Sequence, residues 1–277
     1  MCTATQIRPE AQDVLTFAES EKFFQVATKN PGVSSVLITS EIRQVAAEKF
    51  TGGLCVVTSP KTVFYKIHNY ITEAAERQGS EMPQIDATAV IHPTAIIPDH
   101  NISIGRNVRI HANVVIYPNT SIGDEVVIRE NCVVGSPAFY YFQDGGRSVP
   151  VLSAGRVIIR EYSEIQPLVS IERGVFGGAT VIGPNVKIDN NCLISHDSQI
   201  GSGSILAGST SLAGFVTIGK DVFAGMGVTI SPEKTIGDGV KLSSGAVVTK
   251  DVPANTHVSG NFAVEHGKYC EFIRSIR

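Results

Sequence analysis

The hydrophobic residues of this chain recur every six positions over most of its length. A first run is Ile104, Ile110, Ile116, Ile122, Ile128 and Val134. A second run is Ile182, Ile188, Ile194, Ile200, Leu206, Leu212, Ile218, Ala224, Ile230, Ile236, Leu242 and Val248. Between the two runs, the same step is kept by Ile159, Ile165 and Ile171. An α-helix repeats every 3.6 residues and a strand every two, so neither element alone explains this spacing.

A second period of 18 residues lies on top of the first. Ile-Gly pairs begin at positions 104 and 122, and again at 182, 200, 218 and 236. Three six-residue edges per turn give both periods when each edge is a short strand and small residues form the corners. Neighbouring coils then pair their backbones at about 4.8 Å. The pattern predicts a triangular parallel β-helix with an aliphatic core, whereas a β-sandwich would show irregular strand spacing and Asn-Gly hairpins.

Known β-helices of this hexapeptide type wind left-handed, and we expect the same hand here. The predicted fold class is mainly β: a left-handed parallel β-helix with a small N-terminal α/β domain and a short C-terminal helix. We expect the α/β domain in residues 1–85, the β-helix in residues 86–258 and the short helix in residues 259–277.

One long segment, residues 135–156, interrupts the repeat as an inserted loop of the β-helix. It holds four consecutive aromatic residues, Phe139 to Phe142, and a Gly-Gly pair. Long loops inside a regular solenoid often carry function, so we expect this loop to be functional. The alternative is a loop that packs between neighbouring subunits.

Charge and cysteine content narrow the class of protein. With 23 basic and 26 acidic residues the net charge is −3, so the chain cannot hold nucleic acid by charge alone. The five cysteines are scattered and form no Cys-x-x-Cys pair, which favours a reducing compartment over a disulfide scaffold. No signal peptide and no apolar run of membrane-spanning length is evident, so we expect a cytoplasmic protein without a transmembrane segment.

His196 is the strongest candidate for a catalytic residue. It follows the inward Ile194 by two positions, so we expect its side chain to point outward, and Gly214 lies one coil of 18 residues further on. A histidine base stacked beside a backbone N–H that no side chain covers is the arrangement that acyl transfer requires. Asp197 or Asp189 would fix the tautomer of the imidazole. The alternative is a solvated surface histidine.

Several segments resemble one known family, the UDP-3-O-acylglucosamine N-acyltransferases of lipid A biosynthesis, which are hexapeptide-repeat acyltransferases. LTFAESEKF, SSVLIT and VVTSPKTVF are similar to its uridine-binding domain. The loop with Phe139, Tyr141, Asp144 and Gly146, followed by GRVIIR, is similar to its substrate loop. VIGPNVKIDNNCLISHDSQIG is similar to its catalytic coil.

The resemblance implies roles for individual residues. It places the general base at His196 and the oxyanion glycine at Gly214. It implies that Phe17 and Phe23 sandwich the uracil, with Ser20 where the family usually has Asn. Both rings could instead belong to the core of an amphipathic segment. It also implies substrate contacts for the loop residues Phe139 and Tyr141.

The resemblance further implies a reaction. A 3-hydroxyacyl chain would pass from acyl carrier protein to the amine of a UDP-3-O-acylglucosamine-type acceptor, without metal or cofactor. Fold analogy implies a homotrimer. An acyl chain would need an apolar groove near His196, for which the candidates are Leu193, Ile205, Ala207, Ala213 and Phe215. Two alternatives stay open: an acetyl-CoA-dependent nucleotide-sugar N- or O-acetyltransferase, and a non-catalytic β-helical scaffold.

Overall fold

The computed structural model of the chain describes residues 12–76, 81–260 and 266–276. It divides the chain into two compact units. Unit 1 comprises residues 1–81, 137–155 and 174–178, and unit 2 comprises residues 82–136, 156–173 and 179–277. The segment that the sequence presents as a loop of the β-helix therefore belongs, for the most part, to unit 1.

Unit 2 is a stack of triangular coils whose described strands form three parallel sheets. The first sheet contains Gln84–Ile85, Ile102–Ile104, Thr120–Ile122, Arg156–Ile159, Ala179–Ile182, Gln199–Ile200, Thr217–Ile218 and Thr235–Ile236. The second contains Val90–Ile91, Arg109–Ile110, Val127–Ile128, Glu164–Ile165, Lys187–Ile188, Ile205–Leu206, Phe223–Ala224, Lys241–Leu242 and His257–Val258. The third contains Val115–Ile116, Val133–Ser136, Ser170–Glu172, Leu193–Ile194, Ser211–Leu212, Thr229–Ile230 and Val247–Val248.

The register of these strands follows the 18-residue period. Ile194 pairs with Leu212, and Ile200 pairs with Ile218. The offset grows where the chain leaves the stack, so that Ile171 pairs with Ile194, 23 residues further on. The inward residues form one continuous buried cluster along the stack. Burial of each aliphatic side chain contributes about 1.5–3 kcal/mol, which makes the six-residue period the main source of stability in this unit.

The corners of the coils require a backbone conformation with positive φ. Among the described residues of unit 2, most positions in this conformation are Asn, Asp or Gly. Glycine lacks the Cβ that makes this region costly, and Asn and Asp tolerate it better than other residues. The corners therefore explain why Asn, Asp and Gly recur at these positions of the β-helix.

Unit 1 contains a parallel sheet of three described strands, Val14–Ala18, Val33–Ile38 and Gly53–Val56. The described helices of this unit are α1 at Glu21–Thr28, α2 at Arg43–Lys49 and α3 at Pro60–Glu76, with a 3-10 turn at Ser40–Ile42. The first strand alternates buried and half-buried residues, as a strand covered on one face does.

A β-hairpin formed by Tyr141–Asp144 and Arg147–Pro150 also belongs to unit 1. Its two-residue turn, Gly145 and Gly146, has positive φ at both positions, as tight antiparallel hairpins require. The alternation of the strand sends Phe142 into the core, where it packs 5.3 Å from the ring of Tyr65.

Helix α3 anchors this hairpin through polar contacts. The hydroxyl groups of Tyr65 and Tyr140 lie 3.1 Å apart, and Nε2 of His68 donates to the carbonyl of Leu152 at 2.8 Å. Burial lowers the pKa of His68 and raises the pKa of the Tyr65 phenol. Both groups are therefore held neutral in the folded unit.

The remaining helix, α4, spans His266–Ser275, within the segment predicted to end the chain in a short helix. None of the helices in the described ranges has the length and apolar character of a membrane-spanning segment. The first strand of unit 2, Gln84–Ile85, precedes the expected start of the β-helix at residue 86, because Ile85 continues the six-residue step back from Ile91.

Candidate active site

The stacking of coils in unit 2 brings His196 and Gly214 together. Because Ile194 pairs with Leu212, the corner residues that follow each strand also lie one above the other. A Cβ built on Gly214 would meet the imidazole, 2.5 Å from Nε2 of His196. Only glycine leaves room for the ring in this orientation, and its Nε2 edge faces the backbone of Gly214.

Two carboxylates contact His196 at different atoms. Oδ2 of Asp197 lies 3.2 Å from Nδ1 of the imidazole. The backbone N–H of His196 donates to Oε2 of Glu172 at 3.2 Å. A carboxylate at Nδ1 favours the tautomer that carries its proton there and leaves the Nε2 lone pair available. Asp189, the other carboxylate considered from the sequence, instead accepts the backbone N–H groups of Asn190 and Gly208.

In some coils the backbone N–H two residues after an inward aliphatic residue, here termed the corner N–H, donates to a carboxylate outside the core. The corner N–H of Arg106 donates to Asp124 at 2.7 Å. Those of Gly208 and Lys220 donate to Asp189 at 3.0 Å and to Asp238 at 2.7 Å. Gly214 occupies the same position after Leu212, and within the described part of the chain its N–H has no acceptor. This donor is therefore available to bind an anionic oxygen beside His196.

His196 is nearly buried, and one aromatic ring packs against it. The residue is only 8% exposed, so it is not a solvated surface histidine. The ring of Phe215 stands edge-on to the imidazole, with ring centroids 5.0 Å apart and an interplanar angle of 85°. Exclusion of water strengthens the hydrogen bonds of a catalytic pair.

The residues expected to bind uracil lie in unit 1, around the turn from the first strand to α1. Phe17, at the carboxyl end of that strand, is half-buried and packs 5.1 Å from the ring of Phe64. Phe23, in the first turn of α1, is 50% exposed. The hydroxyl of Ser20 accepts the N–H of Phe23 at 3.4 Å and so caps α1. Ligands commonly bind at the carboxyl ends of parallel strands.

The expected substrate-loop residues Phe139 and Tyr141 also belong to unit 1. Their ring centroids are 5.0 Å apart at an interplanar angle of 62°, and Phe139 is 84% exposed. The intervening Tyr140 and the following Phe142 point into the core instead. The four consecutive aromatics thus divide into an exposed pair and a packed pair, with successive side chains alternating between the two.

Sequence reasoning missed Glu172 in this site. It lies 24 residues before His196, not one 18-residue coil, because residues 174–178 leave the β-helix between them. The signal was present in the spacing: Ile171 and Ile194 are 23 residues apart, five more than one coil.

The sequence profile described as bacterial transferase hexapeptide (six repeats) matches residues 101–136 and 179–214. The second matched segment ends at Gly214 and includes His196. Together with the three stacked sheets, this match confirms the predicted fold class: the chain is a hexapeptide-repeat β-helix protein.

Curated proteins similar to the chain confirm the predicted resemblance. The chain is 33% identical over 132 residues to the UDP-3-O-acylglucosamine N-acyltransferase of Herminiimonas arsenicoxydans. The match covers 48% of this chain and 37% of that protein. It is 30% identical over 159 residues to the protein of that name from Wolinella succinogenes, covering 57% of this chain and 50% of that protein. In both, the chain covers half or less of the relative's length.

Among solved structures, the chain is similar to the UDP-N-acetylglucosamine acyltransferase from Campylobacter jejuni. The two have a TM-score of 0.49 and 24% identity, over 62% of this chain and 71% of that one.

Proposed function

We propose that the chain is an N-acyltransferase that moves a 3-hydroxyacyl group from acyl carrier protein to the amine of a UDP-3-O-acylglucosamine-type acceptor. The observation that carries the proposal is the pairing of His196 with the available corner N–H of Gly214. The names of the similar proteins supply the class of acceptor for a site whose geometry suits acyl transfer, and the donor is the one that the sequence resemblance implies.

In this mechanism Nε2 of His196 removes a proton from the acceptor amine as the nitrogen attacks the thioester carbonyl. The new C–N bond converts the carbonyl oxygen to an oxyanion, which accepts the N–H of Gly214. Such a donor contributes about 2.7–4 kcal/mol to stabilisation of the transition state. When the intermediate collapses, the C–S bond breaks and the imidazolium returns its proton to the leaving thiolate. Asp197 stabilises the imidazolium throughout.

Binding of the acceptor is assigned to unit 1. Phe23 offers an exposed ring at the first turn of α1, and Phe17 offers a half-buried one at the strand end. Stacking of a base on an aromatic ring contributes about 1–3 kcal/mol. The hydroxyl of Ser20, although engaged as a helix cap, lies between them in sequence and retains an acceptor lone pair for uracil. The exposed pair Phe139 and Tyr141 would contact the remainder of the acceptor.

Binding of the acyl chain is assigned to the outer face of the coils near His196. Leu193 and Ile205 direct partly exposed side chains away from the core on these coils. Burial of each methylene of a chain contributes about 0.8 kcal/mol, which an acetyl group cannot gain. This contrast favours a long-chain donor over acetyl-CoA.

The proposal includes a homotrimer, in which clefts between β-helices would enclose the acyl chain, and it requires no metal or cofactor. It also places the reaction in the cytoplasm. The cysteines Cys55, Cys132, Cys192 and Cys270 are unpaired, as expected in a reducing compartment.

A panel of thioester donors tests the proposal. The chain is assayed with 3-hydroxyacyl carrier proteins of several chain lengths and with acetyl-CoA, each against a UDP-3-O-acylglucosamine acceptor. We expect kcat/KM for one hydroxyacyl carrier protein to exceed that for acetyl-CoA by at least about a hundredfold. An equal or higher value for acetyl-CoA would favour the nucleotide-sugar acetyltransferase. No turnover with any donor would favour the scaffold.

A further inference from the structure

Phe215 occupies a backbone position that suits its side chain poorly. Its φ is +61°, in the left-handed region that L-residues with bulky side chains avoid. Corners in this conformation are mostly Asn, Asp or Gly, and the apolar exceptions among the described corners of unit 2 are Tyr162, Leu168 and Phe215. A phenylalanine here costs stability that an asparagine would not cost, and strain of this kind is concentrated at functional sites.

Both contacts described for Phe215 are with His196. Its ring packs edge-on against the imidazole of His196, with centroids 5.0 Å apart. Its backbone N–H donates to the carbonyl of His196 at 3.0 Å. The left-handed corner thus fixes both the backbone and the ring of Phe215 against one residue.

We propose that Phe215 is a positioning residue that holds the imidazole of His196 against Gly214 and shields it from water; this inference rests on the proposed acyl transfer. Three sides of the imidazole are then defined. Asp197 contacts Nδ1, Gly214 leaves space at the Nε2 edge, and Phe215 fixes the orientation of the ring plane. Asp197 contacts Nδ1 of the imidazole, and Glu172 accepts the backbone N–H of His196. Neither carboxylate contacts the ring on the side that Phe215 occupies.

Kinetics of three variants test this role. Phe215→Asn removes the ring but suits the left-handed corner, so we expect it to fold with a Tm at or above that of the wild type. We expect kcat to fall about tenfold while KM for the acceptor stays within about twofold. Phe215→Tyr keeps the ring and should restore kcat. Leu168→Asn makes the same kind of change at a left-handed corner on another coil and should leave kcat unchanged.

A second readout does not depend on activity. Diethyl pyrocarbonate modifies exposed, neutral imidazoles, and its rate of reaction at His196 is followed by mass spectrometry of the folded protein. We expect this rate to rise several-fold in Phe215→Asn and to match the wild type in Phe215→Tyr and Leu168→Asn. Phe215→Gly, which also suits the corner, should repeat the result for Phe215→Asn.

The two readouts separate this inference from the proposed function. An unchanged modification rate in Phe215→Asn overturns the positioning role, and so does unchanged kcat in that variant of an active enzyme. A raised modification rate in a protein that acylates no acceptor supports the positioning of His196 and removes the proposed acyl transfer.

Discussion

The two units of this chain are stabilised by different kinds of core. In unit 2 the core is a column of aliphatic residues, each packed against equivalent residues in the coils before and after it. In unit 1 an aromatic cluster joins segments distant in sequence, with Phe64 and Tyr65 from α3, Phe142 from the hairpin and Phe176 from a second excursion.

This difference determines which contacts between candidate functional residues can be predicted from the sequence. A solenoid places residues one period apart next to one another, so the pairing of His196 with Gly214 follows from the 18-residue period alone. Unit 1 has no period, and its surface depends on contacts between residues separated by some eighty positions or more, such as His68 and Leu152. The candidate catalytic residues all lie in unit 2, and the candidate uracil-binding residues all lie in unit 1.

The largest expected effect concerns the aromatic core of unit 1. Phe64 is fully buried and packs against Phe17, Tyr65 and Phe176. We expect Phe64→Ala to lower the free energy of unfolding by about 3–5 kcal/mol, measured by chemical denaturation. Phe139→Ala, at an exposed ring of the same unit, should change it by less than about 0.5 kcal/mol. Equal effects of the two variants would contradict the core assigned to unit 1.

The next effect concerns the corner of unit 2 that holds the proposed oxyanion site. In Gly214→Ala the new Cβ would displace the imidazole of His196. We expect kcat to fall at least about a hundredfold with little change in Tm, because the displaced base no longer faces the oxyanion donor. The control is Gly208→Ala, at the equivalent corner position after Leu206, where the new Cβ would lie 3.3 Å from Oδ2 of Asp189. Similar kcat values for both variants would exclude the pairing as the source of catalysis.

A smaller effect concerns the pH dependence of unit 1. Burial lowers the pKa of His68 below its ordinary value of 6.5, so the unfolded chain binds a proton more readily than the folded one. Stability is therefore fully present above about pH 6.5 and falls as the pH drops towards the folded pKa. Each unit of pKa depression corresponds to about 1.4 kcal/mol.

The measurement is the free energy of unfolding between pH 7.5 and pH 5 in wild type and His68→Gln, a range set about the reference value for histidine. We expect a shallower acid decline in the variant, and no such change in His92→Gln, which alters an exposed histidine. Identical slopes in wild type and His68→Gln would show that His68 is not held neutral by the fold.

The sequence predicted the β-helix well because one local rule, repeated in every coil, determines it. The same rule extends back to Ile85, one residue before the predicted start of the β-helix. The sequence could not show that the outward-pointing His196 is nearly buried, because Phe215 covers it from the next coil.

In unit 1 the sequence indicated a small α/β domain but not its first strand or α1, although Ser20 is a typical helix cap. Nor could it divide the four aromatics into exposed and packed pairs. That division depends on the register of the hairpin with α3, which is set by contacts such as Tyr65 with Tyr140. The geometry of the candidate catalytic residues was therefore predictable from a period, whereas that of the candidate binding residues required the tertiary fold.

The central claim of the proposed function is that the residues of unit 2 carry out the chemistry and those of unit 1 bind the nucleotide. Steady-state kinetics of His196→Ala and Phe23→Ala, with the UDP-linked acceptor varied at saturating donor, test it most directly. We predict that His196→Ala lowers kcat at least about a hundredfold while KM for the acceptor changes little. Phe23→Ala should raise that KM by about tenfold while kcat stays within about twofold, because stacking of uracil contributes equally to ground state and transition state. Near-normal kcat in folded His196→Ala, or an unchanged KM in Phe23→Ala, would contradict this division of roles.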